Sequence, residues 1–130
     1  MTVKRILVVD DRENWRETFQ LMLREEGYEV ETAESYETAL QALNRRIFHL
    51  ALVDISLADE SNTDGLRIIQ AIEDNHRPTA VIAITGYVKA NHEGNQLLKS
   101  PRVKAFLRKR ELDTAQFLKL VAESIGTLNE

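Results

Sequence analysis

The chain has 130 residues, which fits one domain and leaves little room for a second. Its formal net charge of −4 argues against nucleic-acid binding, which needs a basic face, and the absence of cysteine removes disulfides, thiolate metal sites and cysteine nucleophiles. Apolar residues make up 43% of the chain, enough for a core, yet no apolar run approaches the roughly 20 residues that span a bilayer.

Met1 to Arg5 leads straight into a strand-like run and lacks a signal peptide's long apolar stretch, so a soluble cytoplasmic domain without a membrane partner is expected. Ile6-Leu7-Val8-Val9 is the first strand and ends at Asp10. Apolar on both faces, it belongs in a parallel sheet covered by helices on both sides. Trp15, Phe19, Met22 and Leu23 follow at helical spacing, closed by Gly27. Tyr28 to Ala33 reads as a second, more polar strand. Ser35 caps a helix whose stripe is Tyr36, Ala39, Leu40 and Leu43. Leu50-Ala51-Leu52-Val53 is the third strand and ends at Asp54.

A polar loop then leads to Asp64, the N-cap expected for a helix through Leu66, Ile69 and Ile72. Ala80 to Ile84 is the fourth strand, ending at Thr85. The stretch from Val88 to Ser100 has few apolar residues and contains Gly94, so only a short or marginal helix is expected there. Val103 to Leu107 is the fifth strand, with Lys109 just beyond it. Asp113 caps a last helix presenting Phe117, Leu120, Val121 and Ser124. Strands alternating with helices in this way imply an α/β fold with a parallel sheet and right-handed crossovers.

In such sheets ligands bind beyond the carboxyl ends of the strands. Those ends carry Asp10 and Asp11, Asp54, Thr85 and, nearby, Lys109. Two carboxylates about 4 Å apart repel by roughly 4 kcal/mol at an effective dielectric of 20, so three together need a proton or a cation. An all-oxygen site with few protein ligands suits Mg²⁺, which shares phosphate oxygens readily. Lys109 adds a mobile positive charge and Thr85 a hydroxyl donor. The set reads as a metal-assisted phosphoryl site with an aspartyl nucleophile. The bland alternatives are Asp10-Asp11 as helix caps, Asp54 as a turn acid, Thr85-Gly86 as an ordinary turn and Phe106 as a core aromatic. Trp15 reads as part of the first helix's buried stripe rather than a ligand platform. His49, His76 and His92 show no metal-ligand spacing. Arg102, Lys104, Arg108, Lys109 and Arg110 read as a solvated basic face.

Over nearly its whole length the chain resembles the response-regulator receiver family of two-component signalling. The resemblance is carried by Ile-Leu-Val-Val-Asp10-Asp11, Leu-Ala-Leu-Val-Asp54, Asp64-Gly65-Leu66, Ile-Ala-Ile-Thr85-Gly86 and Ala105-Phe106-Leu107-Arg108-Lys109. It implies one receiver domain over 1–130 with a three-layer α/β/α, flavodoxin-like (βα)₅ fold and a five-stranded parallel sheet ordered 2-1-3-4-5. It implies Asp54 as the phosphoacceptor, supplied by a sensor histidine kinase or phosphotransfer protein. Asp10, Asp11, Asp54 and the backbone carbonyl of Ser56 would hold Mg²⁺, and Lys109 would pair with the phosphoryl group. Thr85 and Phe106 would form the switch that informs a downstream protein or output domain, with phosphorylation-dependent homodimerisation a further expectation. Ser56 and Tyr87 occupy the positions that tune phosphate lifetime, with Tyr87 expected to shield the phosphoryl group from water.

Several features depart from the family pattern. The loop between Asp54 and Gly65 is longer by about three residues and carries Asp59 and Glu60. Arg110 stands where the family commonly has proline, and the switch aromatic is Phe106 rather than tyrosine. Rival functions are an aspartyl phosphatase, which would want an acid where Ser56 stands, and a flavin binder, whose phosphate Asp10-Asp11 would repel. A pseudo-receiver acting through protein contacts without phosphorylation is the third. A receiver would not be an enzyme toward other substrates; it would catalyse only its own phosphorylation and dephosphorylation.

Overall fold

The computed structural model describes residues 3–55, 64–75, 78–86 and 96–126. Five strands, β1 (Arg5–Val9), β2 (Glu29–Ala33), β3 (Leu50–Asp54), β4 (Ala80–Thr85) and β5 (Val103–Arg108), form one sheet. All pairings are parallel and the order is β2-β1-β3-β4-β5, as expected from the family resemblance. Four α-helices accompany them among the described residues: α1 (Glu13–Glu25), α2 (Tyr36–Arg45), α3 (Asp64–Asp74) and α4 (Thr114–Gly126).

Alternation along the strands divides the core into two layers. Leu7, Val9, Ala51, Val53, Val81 and Ala83 pack with Ala39, Leu43, Ile68 and Ile72 of α2 and α3. Ile6, Val8, Leu50, Leu52, Ile82 and Ile84 pack instead with Phe19 and Leu23 of α1 and Phe117 and Val121 of α4. The central strands are therefore buried on both faces, which is why they read as unbroken apolar runs. The polar strand β2 lies at the sheet edge, where full burial is not required.

Several helix ends follow from their sequences. Ser35 forms a reciprocal capping box with Thr38, and Asp113 Oδ1 accepts from the Gln116 N–H at 3.0 Å. Gly27 follows α1 with φ of 93°, a left-handed conformation that favours glycine. Other boundaries moved. β2 begins at Glu29 rather than Tyr28, and Asp64 lies inside α3 rather than ahead of it. Within the stretch where a short or marginal helix is expected, Gln96–Lys99 forms a 3₁₀ turn; residues 88–95 lie outside the described residues.

Candidate functional site

Strand register assembles the acidic rim. Val9 pairs with Val53 at the adjacent ends of β1 and β3, so Asp10 and Asp54 emerge side by side. These two strands are where the sheet order reverses, the position at which open α/β sheets bind ligands. Thr85 pairs with Arg108, which places Lys109 one residue past the end of β5 on the same rim.

Carboxylate oxygens of Asp10, Asp11 and Asp54 all lie within 4.8 Å of one another. The Asp10 residue is 2% exposed and the Asp54 side chain 8%, so their charges are poorly solvated. Lys109 answers part of that charge: its Nζ lies 2.6 Å from Asp10 Oδ2 and 3.3 Å from Asp54 Oδ2. The Lys109 stem passes close to Gly86, where a β-carbon would stand 3.4 Å from Cδ. Burial pushes the Asp54 carboxyl up to about 7, reinforced by the Asp10 charge and opposed by Lys109. Among the described residues, the buried Asp54 Oδ1 has no hydrogen-bond partner. Such an atom is costly unless something else engages it.

A small cavity of about 50 Å³ adjoins these acids, bordered also by Ser35, Tyr36, Asp64 and Gly65. An orphaned carboxylate oxygen, an all-oxygen donor set and a small cavity fit a hard divalent cation such as Mg²⁺. Asp10, Asp11 and Asp54 are the described residues able to hold it.

The loop that presents Asp10 is pinned from several directions. Asp10 N–H donates to the Ala33 carbonyl at 3.1 Å, and Asp10 Oδ1 accepts from the Arg12 N–H at 2.9 Å. Arg16 Nη1 donates to the Asp10 carbonyl at 2.8 Å. The helix-cap alternative for Asp10 and Asp11 does not describe this arrangement: the N-cap of α1 is Arg12, with no side-chain capping bond. Thr85 is buried at the end of β4, and Phe106 is partly buried against the α2–α3 layer of the core.

The structure thus brings Asp10, Asp11, Asp54, Thr85 and Lys109 to one rim. Ser56 and Tyr87 lie outside the described residues, as do Asp59, Glu60, His76 and His92. His49 stands away from the site, accepting from the Arg5 N–H at 3.0 Å. The basic group near β5 is not one solvated face, because Lys109 turns inward and Arg102 pairs with Glu73 at 2.9 Å. Sequence reasoning did not single out Arg16, whose only signal is an arginine five and six residues after the acids. It also gave Trp15 to the buried stripe alone. Trp15 does stack on Phe19, but its ring also faces Lys109 Nζ, 4.9 Å from the ring centre.

Residues 6–122 match the family model described as the response regulator receiver domain. A CheY-like receiver domain protein from Methanospirillum hungatei has a similar structure, with a TM-score of 0.84, 27% identity and 98% of each chain covered. TrrA from Thermotoga maritima, solved in complex with Mg²⁺-BeF, gives a TM-score of 0.77 at 28% identity, over 94% of this chain and 99% of that one. The response regulator protein PilR of Pseudomonas aeruginosa is 33% identical over 87 residues, which is 67% of this chain and 19% of PilR. The sensor kinase/phosphatase CqsS of Vibrio cholerae is 30% identical over 83 residues, 64% of this chain and 12% of CqsS. The chain therefore spans under a fifth of the length of these curated relatives.

Proposed function

The chain belongs to the response regulator receiver domain family, and from that premise we propose that it accepts a phosphoryl group on Asp54 and switches an output partner. The observation that carries this reading is the rim itself: three clustered carboxylates, a buried lysine bridging two of them, and a buried Asp54 oxygen with no partner among the described residues.

In the proposed reaction an ionised Asp54 oxygen attacks phosphorus as the bond to a phosphohistidine nitrogen breaks. The electron pair of that bond stays on the departing imidazole nitrogen. Positioning and charge neutralisation carry most of such a transfer. Mg²⁺, held by Asp10, Asp11, Asp54 and the Ser56 carbonyl, would supply neutralisation of the phosphoryl oxygens. Lys109 pairs with a phosphoryl oxygen, its ammonium lying within 3.3 Å of Asp54 Oδ2 before transfer. The similar Thermotoga maritima protein was solved in complex with Mg²⁺-BeF, which supports a Mg²⁺ site in this chain.

Thr85 and Phe106 form the switch in this reading. Thr85 ends the strand beside Asp54, and Phe106 lies two strands from it, paired with Ala83. Phosphorylation adds about −1.5 to −2 charge at the rim, which draws the Thr85 hydroxyl toward it. Ser56 and Tyr87 tune the phosphate's lifetime. The proposed partners are a sensor histidine kinase or phosphotransfer protein upstream and a protein or output domain downstream. Phosphorylation-dependent pairing of two copies is a further proposal. No helix of the described residues is long and apolar enough to cross a membrane, and a cytoplasmic place fits this signalling role.

Intact-mass analysis after incubation with Mg²⁺ and acetyl phosphate tests the reading. One added phosphoryl group, dependent on Mg²⁺ and absent from Asp54→Asn, is expected. No adduct from either acetyl phosphate or a phosphorylated kinase would leave the pseudo-receiver in its place.

A further inference from the structure

We propose that Trp15 is a positioning residue for phosphoryl uptake: its indole face seats the Lys109 ammonium over the acid cluster. The proposal rests on the receiver reading and adds to it a residue that touches none of the reacting atoms.

Among the described residues, Lys109 Nζ meets two carboxylates, Asp10 at 2.6 Å and Asp54 at 3.3 Å, and one aromatic face, with the Trp15 ring centre at 4.9 Å. The two acids are also the groups a divalent ion would engage. Once they serve a cation, their hold on the ammonium weakens. A flexible four-carbon stem would then let the ammonium swing away from the rim. The ring behaves differently, because its π face attracts a cation without carrying charge or binding the metal. It is the neighbour whose attraction persists when the acids are engaged.

The indole is itself held in place. Trp15 stacks on Phe19 at 5.5 Å with an interplanar angle of 29°, and Phe19 lies 5.4 Å from Phe117 of α4. Phe19 is 1% exposed, so the stack that fixes the ring is anchored in the core. The spacing Trp15–Phe19 is one helical turn, which lets α1 aim one ring inward and the other at the rim.

Two variants separate a seat from a packing element. Trp15→Leu keeps apolar bulk and removes the π face; Trp15→Phe keeps a π face. With acetyl phosphate and saturating Mg²⁺, Trp15→Leu is expected to slow phosphoryl uptake about five- to tenfold, the scale of a partly desolvated cation–π contact. Trp15→Phe should stay within about twofold of the parent, and the Mg²⁺ Kd of both within about twofold. Equal rates in all three proteins, or equal losses in both variants, would overturn the proposal. So would a Mg²⁺ affinity that falls in step with the rate.

A second measurement needs neither metal nor donor. The ε-methylene of Lys109, assigned by its loss in Lys109→Gln, should resonate upfield of the other lysines through the ring current. That displacement should survive in Trp15→Phe and vanish in Trp15→Leu. An ordinary lysine shift in the parent protein overturns the seat. If the parent takes no phosphoryl group, the receiver reading fails, and this shift alone decides whether Trp15 seats the lysine.

Discussion

The backbone of Gly65 lies so close to the end of β3 that a β-carbon there would stand 2.4 Å from the Asp54 carbonyl oxygen. The same carbon would lie 2.7 Å from Cγ2 and 2.9 Å from Cα of Ile55. The first turn of α3 therefore packs directly on the backbone that presents the proposed phosphoacceptor. Gly65→Ala forces helix and strand apart, and overpacking of this kind costs about 1–3 kcal/mol. Urea unfolding should register that loss together with weaker Mg²⁺ binding. Gly126→Ala is the control, since a β-carbon there meets nothing within 4 Å.

Asp54 makes stability depend on pH in a definite direction. Its carboxyl is raised to about 7 in the fold from an ordinary 3.8, chiefly by burial and then by Asp10. Between those values the native state holds a proton that the unfolded chain has lost. The stabilising contribution is complete below the ordinary value and disappears as pH rises through about 7. Asp54→Asn keeps the neutral form at every pH. It should be more stable than the parent at pH 8.5, by about 1–3 kcal/mol, with the difference shrinking toward pH 5. A constant difference across that range would contradict the assignment.

The same proton competes with the proposed metal. Below about 7 a divalent ion must displace it from Asp54, so Mg²⁺ affinity should rise with pH and level off above that point. Calorimetry in two buffers of different ionisation enthalpy measures the proton released. Release near pH 6.5 that disappears in Asp54→Asn is the expected result.

Most of the fold and the gathering of the acids at the rim were legible in the sequence because both are written in short-range patterns. Short apolar runs rich in Val and Ile, too short for a buried helix, read as strands covered on both faces, and each run ends in a chemically distinctive residue such as Asp10, Asp54 or Thr85. The contacts that tune the rim were not legible, because they depend on where a long side chain points. Arg16 and Trp15 are neighbours in α1, yet one guanidinium reaches back to the Asp10 carbonyl and one ring faces Lys109. Helical spacing places Trp15 on the buried stripe and is silent on what lies beyond the stripe's end. Lys109 was placed at the rim and yet also grouped with exposed basic neighbours, although a single peptide separates it from the exposed Arg110. The direction of one stem, set by the acids it meets, makes that difference.

Arg16 tests whether the loop holding Asp10 needs its brace. Its guanidinium donates to the Asp10 carbonyl at 2.8 Å, and its side chain is 17% exposed. A charged donor to a part-buried carbonyl contributes about 1.5–3 kcal/mol, and removing it leaves that carbonyl poorly satisfied. Arg16 also approaches Glu34, but at 3.9 Å and with Glu34 68% exposed, a pair in which solvent screening leaves little energy. The two contacts therefore predict unequal outcomes. Arg16→Leu should lower stability by about 1–2 kcal/mol and weaken Mg²⁺ binding several-fold, because Asp10 is less firmly aimed. Glu34→Gln should leave stability unchanged within about 0.5 kcal/mol. The Arg16→Leu loss should persist in high salt, since a short hydrogen bond to a backbone carbonyl is screened far less than an exposed ion pair. Urea unfolding at low and high ionic strength distinguishes the two: a loss that vanishes with salt would assign the energy to Glu34 instead.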